Sequence, residues 1–202
     1  LFRSGLIAPH ANLNASFAHT SALPGKIAFV SQSGALVTAV LDWARSRGIG
    51  FSHFISLGDA TDVDFGDTLD YLATDPKTSA ILLYIEDVRS ARKFMSAARA
   101  AGRNKPVLVL KAGRVPEGAK AAASHTGALA GMDAVYDAAI RRAGMLRVLT
   151  TDALFDAVET LSRVQPMVSE ELIILTNGGG PGVMATDALM LSGGRLATLS
   201  PE

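Results

Sequence analysis

Lys26-Ile27-Ala28-Phe29-Val30-Ser31-Gln32-Ser33-Gly34-Ala35 is the stretch that decides the fold. Ile27 to Val30 is apolar without alternation, as a strand buried on both faces must be, and a helical pattern runs from Ala35 to Arg47. Between them stand two hydroxyls and a glycine. The same couplet recurs down the chain: strand Phe51 to Leu57 with helix Phe65 to Ala73, then strand Ala80 to Glu86 with helix Ala91 to Ala101. Strand Pro106 to Lys111 precedes helix Met132 to Ala143, and the short strand Met145 to Val148 precedes helix Thr151 to Val164. Apolar strands each followed by an amphipathic helix predict an α/β domain, a doubly wound parallel sheet covered on both faces.

On the N-terminal side, residues 1–24 scatter Asn, Ser, His and Pro with little periodicity, which predicts a connector running over a surface. On the C-terminal side, Gln165-Pro166-Met167 breaks the last helix, and Glu171 to Thr176, the Gly-rich turn Asn177 to Gly182 and a helix Val183 to Leu191 begin a second βα unit. The expected division is therefore 1–24 connector, 25–165 first domain and 166–202 the start of a second. A sixth strand added to the first sheet is the competing arrangement. Leu1-Phe2-Arg3-Ser4-Gly5 has no initiator methionine, and Leu199 to Glu202 stops where a helix is wanted, so a piece of a longer protein is expected.

Of the 202 residues 49% are hydrophobic, enough for a packed core, and 19 basic residues balance 19 acidic ones. No electrostatic pull toward nucleic acid or an anionic membrane follows, so any anion must be bound locally. The absence of cysteine excludes disulfide and thiolate chemistry within these residues and suits a cytoplasmic location. No apolar run approaches the roughly 20 residues of a membrane span.

In doubly wound sheets ligands gather where strands end and helices begin. Ser31, Ser33 and Gly34 offer hydroxyls and unpaired helix amides to a phosphate, although a serine N-cap would use some of the same groups. Gly178, Gly179, Gly180 and Gly182 repeat the arrangement at the second unit. Val183 stands where the last glycine of a dinucleotide fingerprint belongs, and Gly113 to Gly118 lacks the Lys-Ser or Lys-Thr of a P-loop.

Ser124-His125-Thr126-Gly127, among alanines and glycines, suits an imidazole that carries phosphate, on a loop hinged at Gly113, Gly118 and Gly127. Glu86, ending an apolar strand, can accept from such a histidine and fix its tautomer, while Asp87 is expected to cap the next helix. His10 and His19 read as exposed and His53 as structural. Gly58 to Asp64 lacks EF-hand spacing and reads as a polar loop bordering the site or an interface, so no metal ligand set is assigned.

With these residues in view the chain resembles the nucleoside-diphosphate-forming acyl-CoA synthetases, the superfamily of succinyl-CoA synthetase and ADP-forming acetate-CoA ligase. The matching segments run in order: Asn14 to Phe17, Gly25 to Gly34, Asp62 to Phe65, Tyr84 to Glu86, Lys111 to Arg114, Ser124 to Gly127 and Asn177 to Gly182. The resemblance implies a flavodoxin-like, succinyl-CoA synthetase-like domain and the start of another. It implies catalytic roles for His125 as phosphate carrier and Glu86 as its orienting acid, with the helices after Ser33 and Gly182 turned toward the phosphohistidine.

CoA, ATP or ADP, phosphate and Mg2+ would serve the full-length enzyme, none held tightly by these residues alone. CoA-binding and ATP-grasp domains or subunits, a small organic acid and a homo- or hetero-oligomeric assembly complete the implied partners. Two rivals stand beside this reading. One is a regulatory acyl-CoA synthetase-like module of a protein acetyltransferase; the other is a flavin-binding domain, disfavoured by an aromatic content of 6%.

Overall fold

The computed structural model describes residues 4–126, 132–164 and 169–198, with side chains described up to 121 in the first span. Two compact units divide the chain, Leu1–Arg163 and Val164–Glu202. In the first, seven strands form one sheet: β1 (Gly5–Ala8), β2 (Leu13–Ala15), β3 (Leu23–Ser31), β4 (Gly50–Ser56), β5 (Ala80–Ile85), β6 (Val107–Lys111) and β7 (Leu146–Val148). Their spatial order is β2-β1-β4-β3-β5-β6-β7, with β3 to β7 parallel and β1 antiparallel to both its neighbours. Counted from β3, the five parallel strands follow the order 2-1-3-4-5, the flavodoxin-like winding, which reverses direction between β3 and β5.

The unbroken apolar runs have the expected cause. Ala28 and Val30 of β3 face one core with Ile81, Leu83, Val107 and Val109. Helices α2 (Phe65–Thr74), α3 (Ala91–Asn104) and α5 (Asp133–Arg142) cover that side through Leu69, Leu72, Phe94, Ala98 and Ile140. Ile27 and Phe29 face the opposite core, closed by α1 (Gly34–Ser46) and α6 (Thr151–Arg163) through Val40, Leu41, Leu154 and Val158. Each large side chain so buried contributes about 1.5–3 kcal/mol, so both faces of the sheet hold the fold.

Three expectations are corrected. Residues 1–24 are not simply a connector: β1 and β2 extend the sheet, Leu6 pairing with Ile55 and Ile7 with Phe54. Only Ile7 of β1 is buried, so so short an edge segment leaves almost no period to read. Residues Pro116–Thr126 form a further helix, α4, where a hinged loop was expected, placing Gly118 inside its first turn. Pro116 starts it, Glu117 favours its first turn and Ala119 to Ala123 have high helix propensity. Finally, the strand expected over Glu171–Thr176 is only β8 (Glu171–Leu172), which pairs with β9 (Arg195–Leu196) in a separate two-stranded parallel sheet of the second unit.

The β3–β4 pairing depends on two glycines. A Cβ on Gly50 would lie 2.0 Å from the Pro24 carbonyl oxygen, and one on Gly25 would lie 2.1 Å from the Gly50 carbonyl carbon. The strands cross here at a register irregularity between Pro24 and Ile27, with backbone against backbone. Gly50→Ala is expected to lower unfolding free energy by about 1–3 kcal/mol, the range of an overpacked interior, as read by urea denaturation. An unchanged midpoint would contradict this account of the crossing.

Candidate active site

The reversal of the sheet puts the ends of β3 and β5 side by side, Ser31 paired with Tyr84. The turn after β3 is tightly braced. The Ser31 hydroxyl donates to the Ser33 carbonyl at 2.9 Å and accepts from the Ser33 N–H at 2.9 Å, and Ser33 caps α1 by accepting from the Leu36 N–H at 3.3 Å. Both serines therefore do the ordinary work of a helix start. The amides of Gly34 and Ala35 remain the orphan donors of the first turn, where the helix dipole favours an anion.

Gly34 is required for space, since a Cβ there would lie 2.5 Å from the ring of Phe17. This contact ties the segment Asn14 to Phe17 to the same turn. The Ser16 hydroxyl donates to Asn14 Oδ1 at 2.6 Å and accepts from the Ala18 N–H at 3.2 Å, shaping the bend that delivers Phe17.

Glu86 follows directly after β5 and is 7% exposed. Its Oε2 has no hydrogen-bond partner among the described residues. Burial, reinforced by the neighbouring Glu86 charge, pushes the Tyr84 phenol above its ordinary range. A buried carboxylate oxygen without a donor is costly, which sets Glu86 apart from the satisfied polar groups around it.

The peptide of Glu86 is gripped at both ends. Gln32 Oε1 accepts from the N–H groups of Glu86 at 2.7 Å and Asp87 at 3.0 Å. Lys111 Nζ donates to the Glu86 carbonyl at 2.9 Å and to that of Ala112. Lys111 is 1% exposed and lies 4.5 Å from the centre of the Tyr136 ring. Burial pulls its ammonium below the ordinary lysine range, against the charges of Asp133 and Asp87, which act upward.

Asp87 does not cap α3 as expected. Its carboxylate accepts from the Tyr136 hydroxyl at 3.2 Å, and that hydroxyl accepts from the Val88 N–H at 3.2 Å. Burial and the Asp87 charge push the Tyr136 phenol up to about 12, so it stays a donor at any physiological pH. Gln32, Lys111 and Tyr136 were not assigned roles from sequence. A lysine closing an otherwise apolar strand was the available signal for one of them.

His125 lies in the last turn of α4; its side chain, and Gly127 with the residues up to 131, lie outside the described residues. Gly113, with φ of +67°, makes a left-handed turn between β6 and α4. Of the other histidines, His10 Nε2 lies 2.8 Å from the Gly25 carbonyl oxygen and His19 pairs with Asp42, both exposed. Among the described residues no cluster of three His, Asp or Glu could hold a metal.

The second unit repeats the turn by itself. The Thr176 hydroxyl donates to the Gly178 carbonyl at 3.1 Å and accepts from the Gly178 N–H at 3.1 Å, the same brace that joins Ser31 to Ser33. Helix α7 (Gly179–Leu191) begins four residues before the expected Val183, because Gly179 to Gly182 form its first turn. Pro181 is accommodated there since its missing N–H would have been an orphan. Nothing lies within 4 Å of a Cβ built on Gly179 or Gly180, whereas Gly182 would meet Thr176 Cγ2 at 2.9 Å.

A cavity of about 1020 Å³ lies beside β1, β4 and α2, lined by His10, His53, Asp59, Tyr71, Asp75 and Lys77 among others, and by none of Ser31, Ser33 or Glu86. The polar loop Gly58 to Asp64 sends Asp59 and Asp62 to this cavity, while Asp64 caps α2 in a reciprocal capping box with Asp67.

A doubly wound, flavodoxin-like domain whose strand ends join a serine-capped helix start to a buried carboxylate is the class that fold and site define. The succinyl-CoA ligase like flavodoxin domain matches residues 24–161, and the chain belongs to that family. It is 47% identical over 184 residues, 91% of its length, to acetate–CoA ligase [ADP-forming] I subunit alpha of Pyrococcus furiosus. To acetate–CoA ligase [ADP-forming] I of Archaeoglobus fulgidus it is 46% identical over 198 residues, 98% of its length. It spans 40% of the first relative and 29% of the second. Among solved structures, the dinucleotide forming acetyl-coenzyme A synthetase 1 of Ca. Korarchaeum cryptofilum, in complex with phosphate and ADP, superimposes with a TM-score of 0.87 at 39% identity. That match covers 97% of this chain and 43% of that one.

His53 supplies a pH test of the fold around the cavity. Burial holds its imidazole below the ordinary 6.5, more than the neighbouring Asp75 charge can restore, with His10 and Lys77 adding to the depression. The folded ring stays neutral while the unfolded chain takes up a proton, so stability present above about 6.5 is lost as pH falls toward the folded value. The thermal midpoint should therefore drop on acidification from that pH, and His53→Gln should remove this part of the slope. Parallel profiles for the two proteins would contradict it.

Proposed function

We propose that this chain is the phosphohistidine-bearing segment of an ADP-forming acid–CoA ligase. Acyl-CoA and inorganic phosphate would give acyl phosphate and CoA, the phosphate oxygen attacking the thioester carbonyl and the thiolate leaving. His125 attacks the phosphorus of the acyl phosphate, breaking its P–O bond and releasing the carboxylate, and the phosphohistidine then passes its phosphoryl group to ADP. The reverse direction makes acyl-CoA from acid, CoA and ATP.

The observation that carries this reading is the buried, unpartnered Oε2 of Glu86 next to the helix start at Ser33. An imidazole N–H is the donor that oxygen lacks, and accepting it would leave the other ring nitrogen free to attack phosphorus. The amides of Gly34 and Ala35, with the dipole of α1 behind them, would stabilise the transferred group by on the order of 1 kcal/mol or more when partly buried. Relatives named as ADP-forming acetate–CoA ligases and a structural neighbour in complex with phosphate and ADP support the substrate classes.

CoA and nucleotide binding belong, in this proposal, to CoA-binding and ATP-grasp domains or subunits beyond these residues. Magnesium would accompany the nucleotide. Among the described residues no helix is long and apolar enough to cross a membrane.

The test is CoA-dependent ADP release from ATP by the full-length protein, over a panel of small organic acids. His125→Ala should abolish turnover, and Glu86→Gln should lower kcat by on the order of 100-fold or more, the scale of a lost proton-directing group. Undiminished turnover in the His125 variant would refute the assignment.

A further inference from the structure

Gln32 sits between the two serines of the anion turn, yet its side chain serves the neighbouring strand end. Its backbone N–H donates to the Tyr84 carbonyl at 3.3 Å, while its Oε1 takes the consecutive N–H groups of Glu86 and Asp87 at 2.7 and 3.0 Å. An amide oxygen has two lone pairs, and both are engaged. These two amides lie just beyond the end of β5, where the sheet ladder has stopped and no strand carbonyl takes them. Lys111 holds the carbonyl side of the same Glu86 peptide, so Gln32 is the half of the grip that reaches across from the anion turn.

We propose that Gln32 is a positioning residue for phosphoryl transfer: it locks the Glu86 backbone to the helix start that receives the phosphate, fixing the carboxylate relative to the anion. The inference rests on Glu86 orienting His125. Displacement of an orienting group by an ångström is enough to slow transfer severely, while nucleotide binding by other parts of the protein is untouched.

The experiment follows formation of acid-labile protein phosphate from ATP and magnesium in the full-length protein. Gln32→Met keeps the shape and removes the acceptor; it should slow phosphorylation about tenfold or more with the nucleotide KM unchanged, the mark of a loss confined to the transition state. Gln32→Glu, which returns an oxygen at the same reach, should restore most of that loss. In a Glu86→Gln background, Gln32→Met should add less than about twofold, because both substitutions disable one unit.

Labelling of Gln32→Met at the wild-type rate would overturn the proposal, as would losses that multiply in the double variant or a Gln32→Glu protein no faster than Gln32→Met. Should Gln32→Met melt below the assay temperature, Gln32→Asn, whose oxygen is withdrawn by one methylene, must show the same slowing and the same non-additivity. A wild-type protein that takes no phosphate would refute the phosphohistidine reading itself; a labelled wild type with indifferent Gln32 variants would refute only the role of Gln32.

Discussion

The parallel register of β3, β5 and β6 is the constraint on which the rest depends. Ser31 is level with Tyr84, Tyr84 with Leu110, and Ile85 with Lys111, so the three strands finish together at the point where the sheet reverses its winding. That shared edge opens the crevice in which doubly wound sheets hold ligands. Helix α1 departs to one face and α3 to the other, leaving Ser33 and Glu86 beside each other with Gln32 spanning the gap. A one-residue slip of β5 would turn Glu86 to the opposite face and empty the arrangement.

Electrostatics at this edge are local. The chain carries no net charge, so any attraction for an anion at this edge must come from oriented amides and nearby cations. Lys111, buried, is spent on the carbonyls of Glu86 and Ala112, and its contribution is to hold them in place. Tyr136 answers it from α5 by holding Asp87 and Val88, so the segment after β5 is fixed by side chains from β6, α5 and the turn after β3. Rigid support of this kind suits a carboxylate whose value lies in where it points.

Most of the sheet was legible because strands buried on both faces advertise themselves as unbroken apolar runs, and α1, α2 and α3 show the helical period. The edge was not: β1 and β2 have one buried residue between them and carry polar turn residues. Helix α4 went unread because glycines at 113, 118 and 127 suggested a loop, although Pro116, Glu117 and the alanine run mark a helix start. In the site, Ser31, Ser33 and Glu86 announced themselves by chemistry at strand ends. Gln32 did not, since a glutamine accepting from two amides acts through geometry that only folding reveals, and Lys111 left only the signal of a lysine closing an apolar strand. Helix α7 started early for a related reason: a glycine-rich stretch has low helix propensity, yet its first turn needs few internal hydrogen bonds.

The central claim is that one imidazole takes the same phosphoryl group from either side of the reaction. The most direct measurement is mapping of acid-labile phosphate on the full-length protein, labelled in one case from ATP and in the other from acyl-CoA plus inorganic phosphate. The account predicts His125 as the modified residue in both cases, with discharge on adding ADP to the second. Phosphate found on another residue, or on His125 from only one direction, would contradict it.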